Sequence, residues 1–262
     1  FDPQGERIAV TVDPMPSDLW LLEDGDAFRK TTRGHDVMPV WSPHGRHLAF
    51  NREGSLFLWE VDAGSEPKSV EGAPKNLYPV SWSPDGKVLA LNRTHSETGL
   101  DIVFYHMDEG LPEAERYQPF LATSADESLP HFSPDGGLVA YTSDINGLDR
   151  VYVNAYPGPD RPRLISPNGG RDPLWSRDGK ELYFRKGDSV MAVTVDGEAP
   201  TFGDPVLLFV GEFDHTQMRN WDVSHDGRFV MVEDDPATTR RFQVILNWTS
   251  ELEGRVVGDA GR

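Results

Sequence analysis

Three histidines, His35, His131 and His215, stand in or beside segments that lead into apolar strands, and three carboxylates, Asp36, Glu127 and Asp172, stand in segments of the same kind. Imidazole is a general base near neutral pH. Carboxylates that converge supply the oxygens a hard cation such as Ca²⁺ takes, about six to eight at a time. Together, such groups polarise an ester, lactone or phosphoester and activate water. The same segments carry Asn76, Tyr78, Arg171, Arg219, Asn220 and Trp221, side chains suited to a small ligand, a peptide or a protein. The plainer alternative is that the carboxylates and arginines pair with one another and fix geometry, as buried polar groups must.

The other candidates read as structural. His44, His47 and His225 belong to tight turns, and His95 and His106 have no acidic neighbour in their own stretch of chain. The "SDINGLD" stretch (143–149) has oxygen ligands, but its Asn-Gly pair reads first as a turn. No hydrolase nucleophile elbow, zinc-protease helix, phosphate loop or dinucleotide fingerprint is present.

What positions these residues is a repeat. "FDPQG", "WSPHG", "WSPDG", "FSPDG", "WSRDG" and "VSHDG" end at Gly5, Gly45, Gly86, Gly136, Gly179 and Gly227, at intervals of 40 to 50 residues. The glycine supplies the positive φ of a tight turn. A short apolar run follows each turn, often with alanine four residues on (Ala9, Ala49, Ala90, Ala140), and then a second run such as "SLFLWEV" or "RVYVNAY". Weaker strands fit near 27–33, 66–71, 117–123, 161–166 and 205–210. Four strands per repeat without helical periodicity predict blades, hence an all-β, six-bladed β-propeller of four-stranded antiparallel blades around a central channel, spanning 1–262 as a single domain. Trp41, Trp82, Phe132 and Trp175 are then wedges between blades. The segments entering the innermost strands meet at one mouth of the channel and bring the chemistry-bearing residues together.

Composition narrows the partners. The formal charge is −18, which repels phosphate backbones and anionic lipid and argues against nucleic acid. There are no cysteines, so disulfide, thiol and thiolate chemistry is excluded. Apolar runs such as Val206 to Val210 are far too short to cross a bilayer. A monomer is expected. The first repeat lacks most of its innermost strand, so the chain reads as a piece of a longer one, its ring closed by an upstream strand or by "RVV" at 255–257.

The W-S-P-D-G repeats resemble the WD40-like repeats of TolB-type six-bladed propellers over nearly the whole chain. "ESLPHFSPDGGLVAYTSDINGLDRVYVNAYPGP" and "NGGRDPLWSRDGKELYFRKGDSVMAVTVD" further resemble propellers at the C-termini of bacterial serine/threonine protein kinases. The resemblance implies a sensor or interaction domain and brings no catalytic residues. Two functions follow as expectations: a non-catalytic propeller that binds a small molecule, peptide or protein at the channel mouth, and a hydrolase with Ca²⁺ or another divalent cation held by Asp36, Glu127 and Asp172.

Overall fold

The computed structural model describes residues 7–12, 18–23, 26–29, 35–158, 161–197, 199–211, 213, 219–223, 227–233 and 241–245. The repeat turns ending at Gly45, Gly86, Gly136 and Gly179 close as their residues require. In "WSPDG" the Gly86 amide donates to the Ser83 carbonyl, the Ser83 hydroxyl donates to Asp85, and the Val88 amide donates back to that hydroxyl. Ser133 and Asp135, then Ser176 and Asp178, repeat the pattern. At Asp135, hydrogen bonds from Ser133 and the Gly137 amide hold the carboxyl below its ordinary pKa.

Among the described residues the strands form six antiparallel sheets, consistent with six blades. Blade 1 comprises β1 (Arg7–Val12), β2 (Asp18–Glu23) and β3 (Asp26–Arg29). Blade 2 comprises β4 (Asp36–Trp41), β5 (His47–Arg52), β6 (Ser55–Glu60) and β7 (Lys68–Ser69). Blade 3 comprises β8 (Leu77–Trp82), β9 (Val88–His95), β10 (Gly99–His106) and β11 (Tyr117–Leu121). Blade 4 comprises β12 (Glu127–Phe132), β13 (Leu138–Ser143), β14 (Arg150–Ala155) and β15 (Arg163–Leu164). Blade 5 comprises β16 (Arg171–Trp175), β17 (Glu181–Lys186) and β18 (Ser189–Asp196), with β19 (Thr201–Phe202) and β20 (Val206–Val210) along the outer edge of β18. Blade 6 comprises β21 (Trp221–Val223), β22 (Phe229–Glu233) and β23 (Arg241–Ile245). The fourth strands expected near 66–71, 117–123, 161–166 and 205–210 are present in shorter form, and 30–33 of the stretch expected at 27–33 lie outside the described residues. A helix of one turn, Glu113–Arg116, precedes β11. No helix of the described residues is long and apolar enough to cross a membrane.

The core lies between blades. Trp82 packs with Ala49 and Leu56 of blade 2, Phe132 with Val88 and Phe104 of blade 3, and Trp175 with Ala140 and Val151 of blade 4. Each aromatic wedges against the preceding blade. The indoles of Trp82 and Trp175 also donate to that blade, at the carbonyls of Val40 (3.3 Å) and His131 (3.1 Å). Ala49, Ala90 and Ala140 are fully buried, which lets the sheets approach closely. The innermost strand expected for blade 1, and the 255–257 segment, lie outside the described residues.

Candidate functional site

At the end where the innermost strands begin, one architectural device recurs. In β4, β8, β12 and β16 the register slips just before the repeat aromatic, between Val37 and Val40, Pro79 and Ser81, Ser128 and His131, and Arg171 and Leu174. A proline at the slip (Pro39, Pro79, Pro130, Pro173) has no amide to donate to the ladder. The residue before it is in the left-handed region at Met38 (φ 56°), Leu129 (φ 55°) and Asp172 (φ 56°). Such backbone persists only where the surroundings over-determine it.

Facing these strands from the second strand of the preceding blade are the residues six after Gly45, Gly86, Gly136 and Gly179, namely Asn51, Asn92, Thr142 and Arg185, of which Asn92 and Thr142 bond the left-handed Leu129 and Asp172. Asn51 donates to the Leu77 carbonyl at 2.7 Å. Asn92 donates to the Glu127 carbonyl and accepts from the Leu129 amide at 3.0 Å. The Thr142 hydroxyl accepts the Asp172 amide at 2.9 Å, and Arg185 donates to the Asn220 side chain at 2.9 Å. At Leu129 and Asp172 the bulge releases the amide from its own sheet, and the neighbouring blade captures it. Sequence reading passed over these four residues because each sits inside an apolar run; their shared spacing from the glycine was the available signal.

The carboxylates serve this framework in different ways. Asp36 is fully buried and takes two hydrogen bonds from Arg52, at 2.5 and 2.8 Å, which hold the arginine firmly charged. Arg52 in turn stacks on Phe57 at 4.8 Å. Glu127 accepts from the Thr123 hydroxyl at 2.5 Å, and burial, reinforced by Asp101 and Asp144, raises its pKa despite that bond. Asp172 accepts from Arg219 at 2.9 Å and from the Trp221 indole at 2.7 Å, tying blade 5 to blade 6. Asp36 and Glu127 occupy the same place at the start of an innermost strand, opposite Arg52 and Ser143. Asp172 sits two residues further along, within the bulge. In blade 5 the matching place is Gly170, where a side chain would run into the Phe184 ring. The three carboxylates therefore do not stand at equivalent positions, and among the described residues no group of three or more histidines and carboxylates is arranged to hold a metal ion.

The histidines separate likewise. His35 is exposed just before β4, with φ 63°. His131 lies on β12, its Nδ1 accepting the Trp175 amide at 3.1 Å; burial, and then the charge of Arg219, push its pKa well below the ordinary value. His215 lies outside the described residues. Among the expected ligand-binding residues, Asn76 is exposed with φ 61°, Tyr78 is half-buried on β8, and Arg171 is half-buried 3.9 Å from Asp149. Arg219 also donates to the carbonyls of Leu129 and Pro173, so it staples blades 4, 5 and 6. Trp221 is only 3% exposed and stacks on Phe229. It is a core residue rather than a ligand platform, because its indole edge is spent on Asp172. The "SDINGLD" stretch forms a turn, with Gly147 at φ 75° and its amide on the Asp144 carbonyl. That turn holds Ile145 and Leu148 outward, 57% and 48% exposed.

No protein-family model matches the chain. An uncharacterized protein of Agrobacterium fabrum is 27% identical over 169 residues, covering 62% of this chain and 55% of its own length. The chain thus spans about half of that relative. Among solved structures, TolB from Acinetobacter baumannii superposes with a TM-score of 0.71 at 16% identity, covering 92% of this chain and 61% of that one. An oligogalacturonate lyase in complex with manganese reaches 0.63 at 16% identity, covering 95% and 73%. At these identities the likeness concerns architecture alone. Wedged aromatics, four-stranded antiparallel blades and these superpositions agree: the chain has the fold of a TolB-type β-propeller.

Proposed function

We propose that the chain is a non-catalytic binding propeller that takes a peptide or protein segment at the end where its innermost strands begin. The observation that carries this reading is the pair Ile145 and Leu148, large aliphatic side chains held out together on an ordered turn at that end. They add little to the core of their own blade and suit a partner's apolar side chains. Arg171 stands at the same end, 3.9 Å from Asp149, the residue that follows Leu148. Asp36 and Asp172 at this end are already bonded to Arg52, Arg219 and Trp221, which holds that part of the surface in place for a partner.

The fold's likeness to a manganese-bound lyase supports a second reading, a hydrolase of esters, lactones or phosphotriesters with a divalent cation and His35, His131 or His215 as base. It has less support, since Asp36 and Asp172 are neutralised by arginines at non-equivalent positions.

Panning a displayed library of random peptides on the protein tests the proposal. Peptides should be enriched that lose binding to an Ile145→Lys/Leu148→Lys variant. Enriched peptides indifferent to that variant would contradict it, as would turnover on an ester, lactone and phosphotriester panel that chelator abolishes.

A further inference from the structure

The outer edges of the blades are not alike. A sheet edge presents unpaired backbone donors and acceptors, and proteins blunt it with short strands, charge or proline. Here β7 and β15 are two residues long and carry Lys68 and Arg163, β11 has Pro119 at its centre, and β3 begins with Asp26 and ends with Arg29. β20 is five residues, "VLLFV", with neither charge nor proline. One edge pairs with β18, and among the described residues no strand pairs with the other. Val206, Leu207 and Val210 are 54%, 55% and 63% exposed. The strand is nonetheless anchored. Leu208 is buried in the core between blades 5 and 6, and Phe209 packs edge-on against Phe213 and Phe229.

Charge identifies what fits this edge. The exposed Asp204 stands two residues before β20, and the exposed Asp188 receives the Gly211 amide on its carbonyl just past the other end. A second copy would bring the same carboxylates, and −18 against −18. We infer that β20 is a docking edge for an extended apolar segment of another protein, bound as an added strand and flanked by lysine or arginine that meet the acidic ends. This surface is independent of the channel mouth.

The probe is a fluorescent heptapeptide of alternating valine and threonine with a lysine at each end, titrated against the protein by anisotropy. Two control peptides carry glutamate at both ends or proline at the centre. Leu207→Lys and Val210→Lys guard the edge, and both side chains are exposed, so the fold is untouched; Ile145→Lys at the mouth is the control variant. Saturable binding of the lysine-ended peptide should weaken at least tenfold with either guard and with glutamate ends, vanish with proline, and be unaffected by Ile145→Lys. No saturable binding to the parent would overturn the inference, as would equal binding by Leu207→Lys or by the proline peptide. Self-association of the parent that Leu207→Lys abolishes would also overturn it and assign the edge to a second copy.

Discussion

Asn92 shows how much one side chain does in this molecule. Its amide satisfies the Glu127 carbonyl and the Leu129 amide of the next blade, the second of them within the bulge of β12. Asn92→Ala leaves two buried backbone groups unpaired at about 1–3 kcal/mol each, so urea titration should show a loss on the order of 3 kcal/mol. Two nearby groups make stability depend on pH with opposite sign. His131 is held well below its ordinary 6.5, so as pH falls below about 6.5 the unfolded chain takes up a proton that the folded chain refuses. Its contribution to stability is therefore lost on acidification. Glu127 is held above its ordinary 4.5, so the folded chain protonates first and gains stability as pH falls through that raised value. Melting temperatures from pH 7 to pH 4 should show His131→Gln flattening the acid loss and Glu127→Gln removing the compensating gain. A His131→Gln curve parallel to the parent's would mean that the imidazole titrates normally.

At the scale of elements, the pairing of bulge and captured backbone group sets the rim. Asp172 tolerates its left-handed backbone as few side chains do, and it anchors Arg219 and Trp221. Asp172→Asn keeps shape and backbone tolerance but removes the charge opposite the partly buried Arg219 guanidinium, and should destabilise by about 1.5–3 kcal/mol in the same titration. The turns, strands and wedges were legible in the sequence because each depends on local chemistry: a glycine with positive φ, an apolar run, an aromatic before the turn. The rim was legible only in part. Asp36 and Glu127 stand nine residues before their repeat glycines and Asp172 seven, which already separated them. What the sequence could not display is that the bulge turns the chain at that point, and that the Phe184 ring fills the space a matching carboxylate in blade 5 would need. Arg219 and Trp221 read as ligand groups because their partner, Asp172, lies 47 and 49 residues away.

Across the whole molecule, stability is built neighbour to neighbour. Each described wedge joins two blades, and Trp175, 2% exposed, joins blades 4 and 5 by packing and by its indole bond to His131. Trp175→Ala should cost roughly 3–5 kcal/mol and lower a single calorimetric transition, since a blade cannot bury its faces alone; two separated transitions would show that the blades unfold independently. At the channel mouth the Asp36 and Asp172 charges are met by Arg52 and Arg219, so neither is left for a cation. The most direct test is the melting temperature of the purified protein after chelation, and again after adding back calcium or manganese. A cation bound only by the folded state would stabilise it by mass action. The melting temperature is expected to be the same in all three conditions; a fall on chelation, restored by either metal and absent in Asp36→Asn or Asp172→Asn, would mean that these carboxylates hold a cation.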